Sequence, residues 1–295
     1  MVWIIRRFQP DVVITRFPVT GEGGHGHHTS SAILANEAYE AAADPKRFPE
    51  QLKYVKPWQV KRVMWNTFNF GTVNTIKDDQ FRIDVGGYNP SLGASYGEIA
   101  ASSRSQHKSQ GFGMPASRGE SLEWFTTTKG TAPVNHLMDG VQTGWERVEN
   151  AKDIPTMVDA IEKNFDPIHP EKSVPALVQL YNRIRLLPDQ YWKKQKLSEL
   201  TELLLQCSGL YAEAFVRVPA AAPADSLQMQ FSLISRLAPG WTLEKVSVAE
   251  YNSELARKLE INKPAEWSYK IKIPASQPFT QPYWLANQWK KGRLL

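Results

Sequence analysis

The sequence predicts an α/β protein, and three stretches of the chain carry that prediction. The β-branched run PDVVITRF at residues 10–17 is typical of a buried strand. After a glycine-rich loop comes SSAILANEAYEAAA at residues 30–43, whose alanines and leucine favour a helix. Beyond residue 220 the apolar residues alternate, as in SLQMQFSLISR at residues 226–236, which predicts antiparallel strands.

Length and composition narrow the class of protein. A chain of 295 residues has room for about two domains. Its net charge of +5 is mild and its basic residues are spread along the chain, which argues against a nucleic-acid partner. No apolar run reaches the ~18–20 residues of a membrane span. The single cysteine, Cys207, is expected in a buried helix position and rules out an intramolecular disulfide.

The pattern divides the chain into three predicted segments. Residues 1–150 mix strand-like runs with helices, of which YGEIAASSRSQHKSQ is the clearest because Ser95 and Glu98 fit a capping box. Residues 151–219 form a predicted helical connector, with YWKKQKLSELTELLLQCSGLYAEAF as its last helix. Residues 220–295 are predicted to begin a β-sandwich. Both ends of the chain look abrupt, so we expect a segment of a longer protein.

The loop GEGGHGHHTS, residues 21–30, is the first candidate for chemistry. Its glycines allow a close backbone approach, and the Thr and Ser residues that follow are helix N-cap types. Such a strand–loop–helix crossing lies beyond the carboxyl ends of the strands, where α/β proteins collect their sites. His25 and His28 can face one cavity, whereas the neighbouring side chains of His27 and His28 are expected to diverge. The alternative is a polar surface loop that happens to hold histidines.

Several separated motifs resemble those of one enzyme family. PDVVITRFP followed by GGHGHHTSSA, and then YGEIAASSRSQHKSQGFG, resemble in order the strand, the His-x-x-His loop and the His-x-Ser/Thr-Gln helix of the PIG-L/LmbE zinc-dependent N-deacetylases. The continuation GTAPVNHLMDGVQTGWERV looks like that of the large multidomain bacterial members. The resemblance implies an incomplete Rossmann-like catalytic domain, followed by the helical connector and part of the β-sandwich.

The resemblance also implies roles for the two spaced histidines. His28 would be the third zinc ligand, and His25 would donate to the oxyanion of the tetrahedral intermediate. The family's other zinc ligands and its general base come from a His-Pro-Asp-Asp motif, which this sequence lacks. The similar string DPIHPEKS follows the loop instead of preceding it, and its His169 is not expected to be a ligand. We therefore expect weak zinc binding and no activity from this chain alone.

The same resemblance marks candidate substrate-binding residues on the later helix. His107 and Gln110 match the family's motif and would line the substrate side of the pocket, although helix packing explains them equally well. Arg104 could bind a sugar hydroxyl or an acidic group, but a structural ion pair is the favoured alternative.

The implied reaction is zinc-dependent hydrolysis of an N-acetyl group on an amino sugar or sugar conjugate. A rival interpretation is a non-catalytic module that binds glycans or proteins through its aromatic surface and its sandwich. Large members of the family are usually exported, which implies a periplasmic or extracellular parent protein. The sequence leaves the exact substrate, the compartment and the oligomeric state open.

Overall fold

The chain forms two compact units that meet in sequence between Thr143 and Gly144. A computed structural model describes residues 1–110, 113–237, 240–248, 251–286, 289–290 and 293–294. Both helices and strands occur, with a sheet that mixes parallel and antiparallel pairs. The chain is therefore of the predicted α/β type.

The first unit, Met1–Thr143, holds a four-stranded sheet with helices. Its elements are α1 (Val2–Phe8), β1 (Val12–Thr15), α2 (Gly26–Ala41), β2 (Arg62–Thr67), β3 (Asn69–Phe70), β4 (Val73–Asn74), β5 (Phe81–Asp84), β6 (Tyr88–Asn89), β7 (Ala94–Ser95), α3 (Tyr96–Ser105) and β8 (Leu122–Gly130). The predicted start of α3 is confirmed, because Ser95 and Glu98 form a reciprocal capping box.

The order of strands in the main sheet is β1-β2-β8-β5. Strand β1 pairs in parallel with β2, and β8 is antiparallel to both β2 and β5. Strands β1, β2 and β5 consequently point the same way, and β8 begins where they end. We call this end of the sheet the carboxyl edge. In open α/β sheets that edge is where binding sites form.

Helix α2 joins the parallel strands β1 and β2, and its start therefore lies at the carboxyl edge. A stripe of alanines allows the helix to approach the sheet closely, and all of these side chains are buried: Ala32, Ala35, Ala38 and Ala41. Val2, Ile5 and Val60 complete this small core. The alanines that favour the helix are also the residues it buries against the sheet. This packing fixes the position of α2 and therefore of the histidine loop that precedes it in the chain.

The buried guanidinium of Arg6 closes the other end of α2. Its nitrogens donate six hydrogen bonds, of 2.8–3.2 Å, to the carbonyl oxygens of Ala41, Ala42, Asp44, Arg47 and Phe48 and to Oε1 of Gln51. The last carbonyls of a helix have no partner within the helix, and they carry partial negative charge. Arg6 therefore satisfies the helix end and ties it to the segment that follows.

Part of the first unit's apolar surface is open to solvent. Ile4 and Phe8 on α1 are 58% and 65% exposed, and Ile14 on β1 is 46% exposed. Within the described residues, β1 lies at the edge of its sheet. An apolar edge strand favours association with other chains.

We expect this surface to bind an apolar fluorescent dye and to promote self-association of the chain. Replacing Ile4 and Phe8 with lysine should lower the fluorescence of the bound dye. It should also lower the weight-average molar mass measured by sedimentation equilibrium. Leu186→Lys, at a position 80% exposed in the second unit, is the control and should change neither. Unchanged dye binding in the double variant would refute the assignment of this surface.

The second unit, Gly144–Leu295, begins with helices and continues with strands. Its elements are α4 (Ile154–Lys163), α5 (Val174–Arg185), α6 (Tyr191–Ser208), β9 (Leu210–Val216), β10 (Ser226–Ser235), β11 (Thr242–Val248), β12 (Tyr251–Lys258), β13 (Ala265–Lys272), α7 (Tyr283–Ala286), β14 (Trp289–Lys290) and β15 (Arg293–Leu294). Buried Ile154, Leu177, Leu180, Ile184 and Leu200 form the core of the helical part.

The last predicted helix of the connector is too long. Helix α6 ends at Ser208, because Gly209 adopts the left-handed conformation of a C-terminal cap. Residues Leu210–Val216 then form β9 instead of continuing the helix, and they pair with β10. The prediction was wrong because LYAEAF places its apolar residues at spacings that fit an alternating strand as well as a helix.

The strands of the second unit form a three-stranded antiparallel sheet in the order β13-β10-β9 and a separate hairpin of β11 and β12. The rings of Phe231 and Trp267 stack between neighbouring strands, with centroids 5.2 Å apart. The predicted antiparallel strands are present, and a two-layered sandwich stays a prediction. Every helix among the described residues is too short or too polar to span a lipid bilayer.

Candidate functional site

The histidine loop leaves the carboxyl edge directly after β1. Phe17 supports it, because its ring stacks on the imidazole of His28 with centroids 4.0 Å apart and planes 14° from parallel. A Cβ atom on Gly23 would lie 2.7 Å from Cδ1 of Phe17, so only glycine allows the loop to close over this ring. The loop therefore fixes His28 against an aromatic surface.

Three imidazole rings lie together at the start of α2. His25 is the N-cap residue, and His27 and His28 lie in the first turn. The ring centroid of His28 is 5.2 Å from that of His25 and 5.2 Å from that of His27, while His25 and His27 are 6.1 Å apart. The structure brings together the two predicted site residues, His25 and His28. The ring of His27 lies equally close to His28, although adjacent side chains were expected to diverge.

The surroundings of His28 favour its neutral form. Burial lowers the pKa of its imidazole below the usual value, and the nearby His25 and His27 lower it further by charge repulsion. Neutral imidazole is the form that binds a metal ion. The surroundings of His28 therefore favour the form of imidazole that a metal ion binds.

The donor set around His28 fits one ligand of a zinc site and not a complete site. A catalytic zinc ion takes three protein ligands and keeps one open position. In the ranges that the structure describes, no group of three or more His, Cys, Asp and Glu side chains is placed to hold a metal ion. The three imidazoles of the loop are close together but do not form such a group.

The other predicted site residues lie at the end of α3. Arg104 and His107 are exposed, and the backbone N–H of His107 donates to the carbonyl of Arg104. None of the hydrogen bonds, ion pairs or ring contacts of the described residues joins Arg104 or His107 to the histidine loop, and none gives Arg104 the alternative ion pair. The side chain of Gln110 lies outside the described residues. Their roles in substrate binding stay predictions.

Ser105 holds the turn that presents His107. Its hydroxyl donates to the carbonyl of Ala101 and accepts the N–H of Met114, which returns the chain to the helix end. A Cβ atom on Gly113 would lie 2.8 Å from Oγ of Ser105, and Gly113 has φ +105°. Ser105, two residues before His107, is therefore tied to Met114.

Sequence reasoning missed a polar cluster at the carboxyl edge. Arg16 follows β1, Asn66 lies near the end of β2, and Glu123 lies near the start of β8. Arg16 Nη1 donates to Oδ1 of Asn66 and lies 3.3 Å from Oε2 of Glu123, while Asn66 Nδ2 donates to Glu123 Oε2 at 2.7 Å. We call these three residues the edge cluster. Positions at strand ends were its sequence signal, but the strand order had to be known to combine them.

Comparison with proteins of known function gives a partial likeness to a deacetylase. The chain is 37% identical over 68 residues to the 1D-myo-inositol 2-acetamido-2-deoxy-alpha-D-glucopyranoside deacetylase of Streptomyces avermitilis. The match covers 22% of this chain and 21% of that protein, so the chain spans about a fifth of that relative's length. No profile of a protein family and no solved structure matches the chain. The similarity thus hints at a deacetylase family.

Proposed function

We propose that the chain is part of a zinc-dependent N-deacetylase that hydrolyses the N-acetyl group of an amino sugar or sugar conjugate. The observation that carries the proposal is the pair of imidazoles of His25 and His28, 5.2 Å apart, on the loop that follows β1 at the carboxyl edge. The name of the partly similar Streptomyces protein describes such a substrate, an acetamido sugar joined to inositol.

His28 is proposed as one of the zinc ligands. Its neutral imidazole is favoured by burial and by its two histidine neighbours, and stacking on Phe17 restricts its orientation. Zinc bound there would supply Lewis-acid polarisation of the scissile carbonyl. The remaining ligands and the general base would come from polypeptide outside these 295 residues, since no His-Pro-Asp-Asp motif occurs in the sequence.

His25 is proposed as the donor to the oxyanion. Its exposed ring lies beside that of His28 and is placed by the N-cap position, where its carbonyl accepts the N–H groups of His28 and Thr29. The ring of His25 can donate a hydrogen bond to an oxygen next to the metal ligand. A donor next to the scissile carbonyl would stabilise the tetrahedral intermediate as negative charge develops on its oxygen.

His107, Gln110 and Arg104 are proposed to bind the sugar part of the substrate. All three belong to the segment that begins with α3, whose start is fixed by the capping box of Ser95 and Glu98. The imidazole of His107 is exposed, and the nearby Ser105 hydroxyl accepts the N–H of Met114 at 3.1 Å. Imidazole, amide and guanidinium groups supply the donors and acceptors that sugar hydroxyls need.

Acetate release tests the proposal. The reading frame upstream of residue 1 is sequenced, and the longer polypeptide and the 295-residue chain are both assayed on N-acetylglucosaminyl conjugates with and without chelator. We expect chelator-sensitive acetate release from the longer polypeptide alone. An upstream frame without His-Pro-Asp-Asp, or chelator-sensitive turnover by the 295-residue chain, would overturn the proposal.

A further inference from the structure

The edge cluster carries hydrogen-bonding groups that have no partner among the described contacts, on side chains that are partly open to solvent. The side chains of Arg16 and Glu123 are 53% and 36% exposed, whereas Asn66 is only 8% exposed. Arg16 uses only Nη1 among the described hydrogen bonds, so its Nε and Nη2 donors are available. The described contacts of Glu123 all involve Oε2, which leaves Oε1 as an acceptor.

The buried amide of Asn66 holds the two charged groups in place. Its Oδ1 accepts from Arg16, and its Nδ2 donates to Glu123 and also to the carbonyl of Trp124 at 3.1 Å. Both ends of the amide are therefore occupied, and the group cannot turn without losing hydrogen bonds. A surface ion pair normally adds little to stability, because forming it restricts two flexible side chains. Here Asn66 has already restricted that freedom.

A second ion pair between an arginine and a carboxylate, in the second unit, differs from the edge cluster in how many of its atoms are used. Arg183 and Asp153 form a bidentate ion pair, in which Nε donates to Oδ2 at 2.6 Å and Nη2 donates to Oδ1 at 2.7 Å. Both carboxylate oxygens are used there, which is the arrangement expected of a structural ion pair. The pair of Arg16 and Glu123 is joined only through Nη1 and Oε2 among the described contacts, which leaves donors on Arg16 and an acceptor on Glu123 without a described partner.

A hydroxyl group both donates and accepts, and it therefore matches a free donor beside a free acceptor. The positive charge of Arg16 is balanced by Glu123, whose carboxylate repels anions such as phosphate. The position follows from the chain: Phe17, the residue after Arg16, stacks on His28. A ligand on the edge cluster would thus lie near the proposed zinc ligand.

We propose that the edge cluster is a subsite for the hydroxyl groups of a neutral sugar, with Arg16 donating to one hydroxyl oxygen and Glu123 accepting a hydroxyl proton. Asn66 is a positioning residue that orients both. The assignment rests on the proposed function for the identity of the sugar, an N-acetylated amino sugar, and it makes the cluster selective for neutral over phosphorylated sugars.

Ligand-observed NMR titration of the 295-residue chain tests the subsite without requiring activity. The probes are N-acetylglucosamine, its 6-phosphate, and N-methylacetamide, which carries the amide without hydroxyls. We expect N-acetylglucosamine to bind the wild-type chain, and Glu123→Gln and Arg16→Lys each to weaken its binding about tenfold. Glu123→Gln should also improve binding of the 6-phosphate, because the repelling charge is gone.

Lys129→Gln is the matched control. Lys129 forms an ion pair with Glu40 at 2.8 Å and lies on the same strand, β8, at the opposite edge of the sheet. It should bind N-acetylglucosamine as tightly as the wild type does. Unfolding midpoints show whether each variant keeps the fold. If Glu123→Gln unfolds, Arg16→Lys, which retains the positive charge, still tests the subsite.

Two results would overturn the subsite: no binding of N-acetylglucosamine to the wild type, or binding that stays within twofold in both variants. Neither result decides the proposed function, which is tested separately by chelator-sensitive acetate release from the longer polypeptide. Loss of sugar binding in the variants together with a longer polypeptide that releases no acetate would uphold the subsite and refute the deacetylase.

Discussion

His25→Ala should lower kcat for acetate release about 10²–10³-fold in the longer polypeptide, with little change in KM. The magnitude is that of removing one preoriented oxyanion donor, which acts only once charge develops in the transition state. His25 is suited to this role because its ring lies 5.2 Å from that of His28 and because the N-cap position fixes its backbone. Steady-state kinetics with measured zinc content separate this loss from a loss of metal.

His27→Ala is the matched control for that experiment. It removes another imidazole from the same turn, with its ring centroid 5.2 Å from that of His28, but no role is assigned to it. We expect kcat to change by only a few fold. A kcat that stays within a few fold after His25→Ala, or a variant that loses its zinc, would contradict the assignment of His25 as the oxyanion donor.

Arg6→Leu should destabilise the first unit by about 3–5 kcal/mol, because it removes six hydrogen bonds and leaves buried carbonyls at the end of α2 without a donor. Leucine cannot replace any of these donors, and the loss includes the favourable charge at a helix C-terminus. The change in the free energy of unfolding is measured by urea titration, with hydrogen exchange in peptides that cover residues 26–53 as the readout.

Arg6→Lys is the informative companion to that variant. Lysine keeps the charge but has one nitrogen in place of three, so it can satisfy only part of the same set of carbonyls. We expect an intermediate loss. If Arg6→Leu changes the free energy of unfolding by less than 1 kcal/mol, which is about the net value of one hydrogen bond, then Arg6 is not the support of the helix end.

Local features of the fold could be predicted from the sequence. The capping box of Ser95 and Glu98 depends on two residues three positions apart, and the burial of α2 follows from its alanines. The sequence predicts a helix that continues through Gly209, because the apolar residues of LYAEAF fit the spacing of a helix as well as that of a strand. That choice is made by pairing with β10, a contact outside the local sequence.

Features that join distant parts of the chain could not be predicted. The acceptors of Arg6 lie 35 to 45 residues further along, and Arg16 and Glu123 are 107 residues apart. Only the strand order β1-β2-β8-β5 brings the three residues of the edge cluster together. The candidate metal ligand His28 was found from its motif, but its support by Phe17 and Gly23 needed the structure.

Zinc calorimetry on the 295-residue chain at neutral pH tests the central claim, that this loop supplies one ligand of a zinc site. One or two imidazoles bind zinc far more weakly than a preformed set of three ligands. His136→Ala is the control, since His136 is exposed and its Nδ1 accepts the N–H of Met138. The account predicts binding at micromolar or weaker affinity that His28→Ala abolishes and His136→Ala preserves, while nanomolar binding, or binding unchanged by His28→Ala, would contradict it.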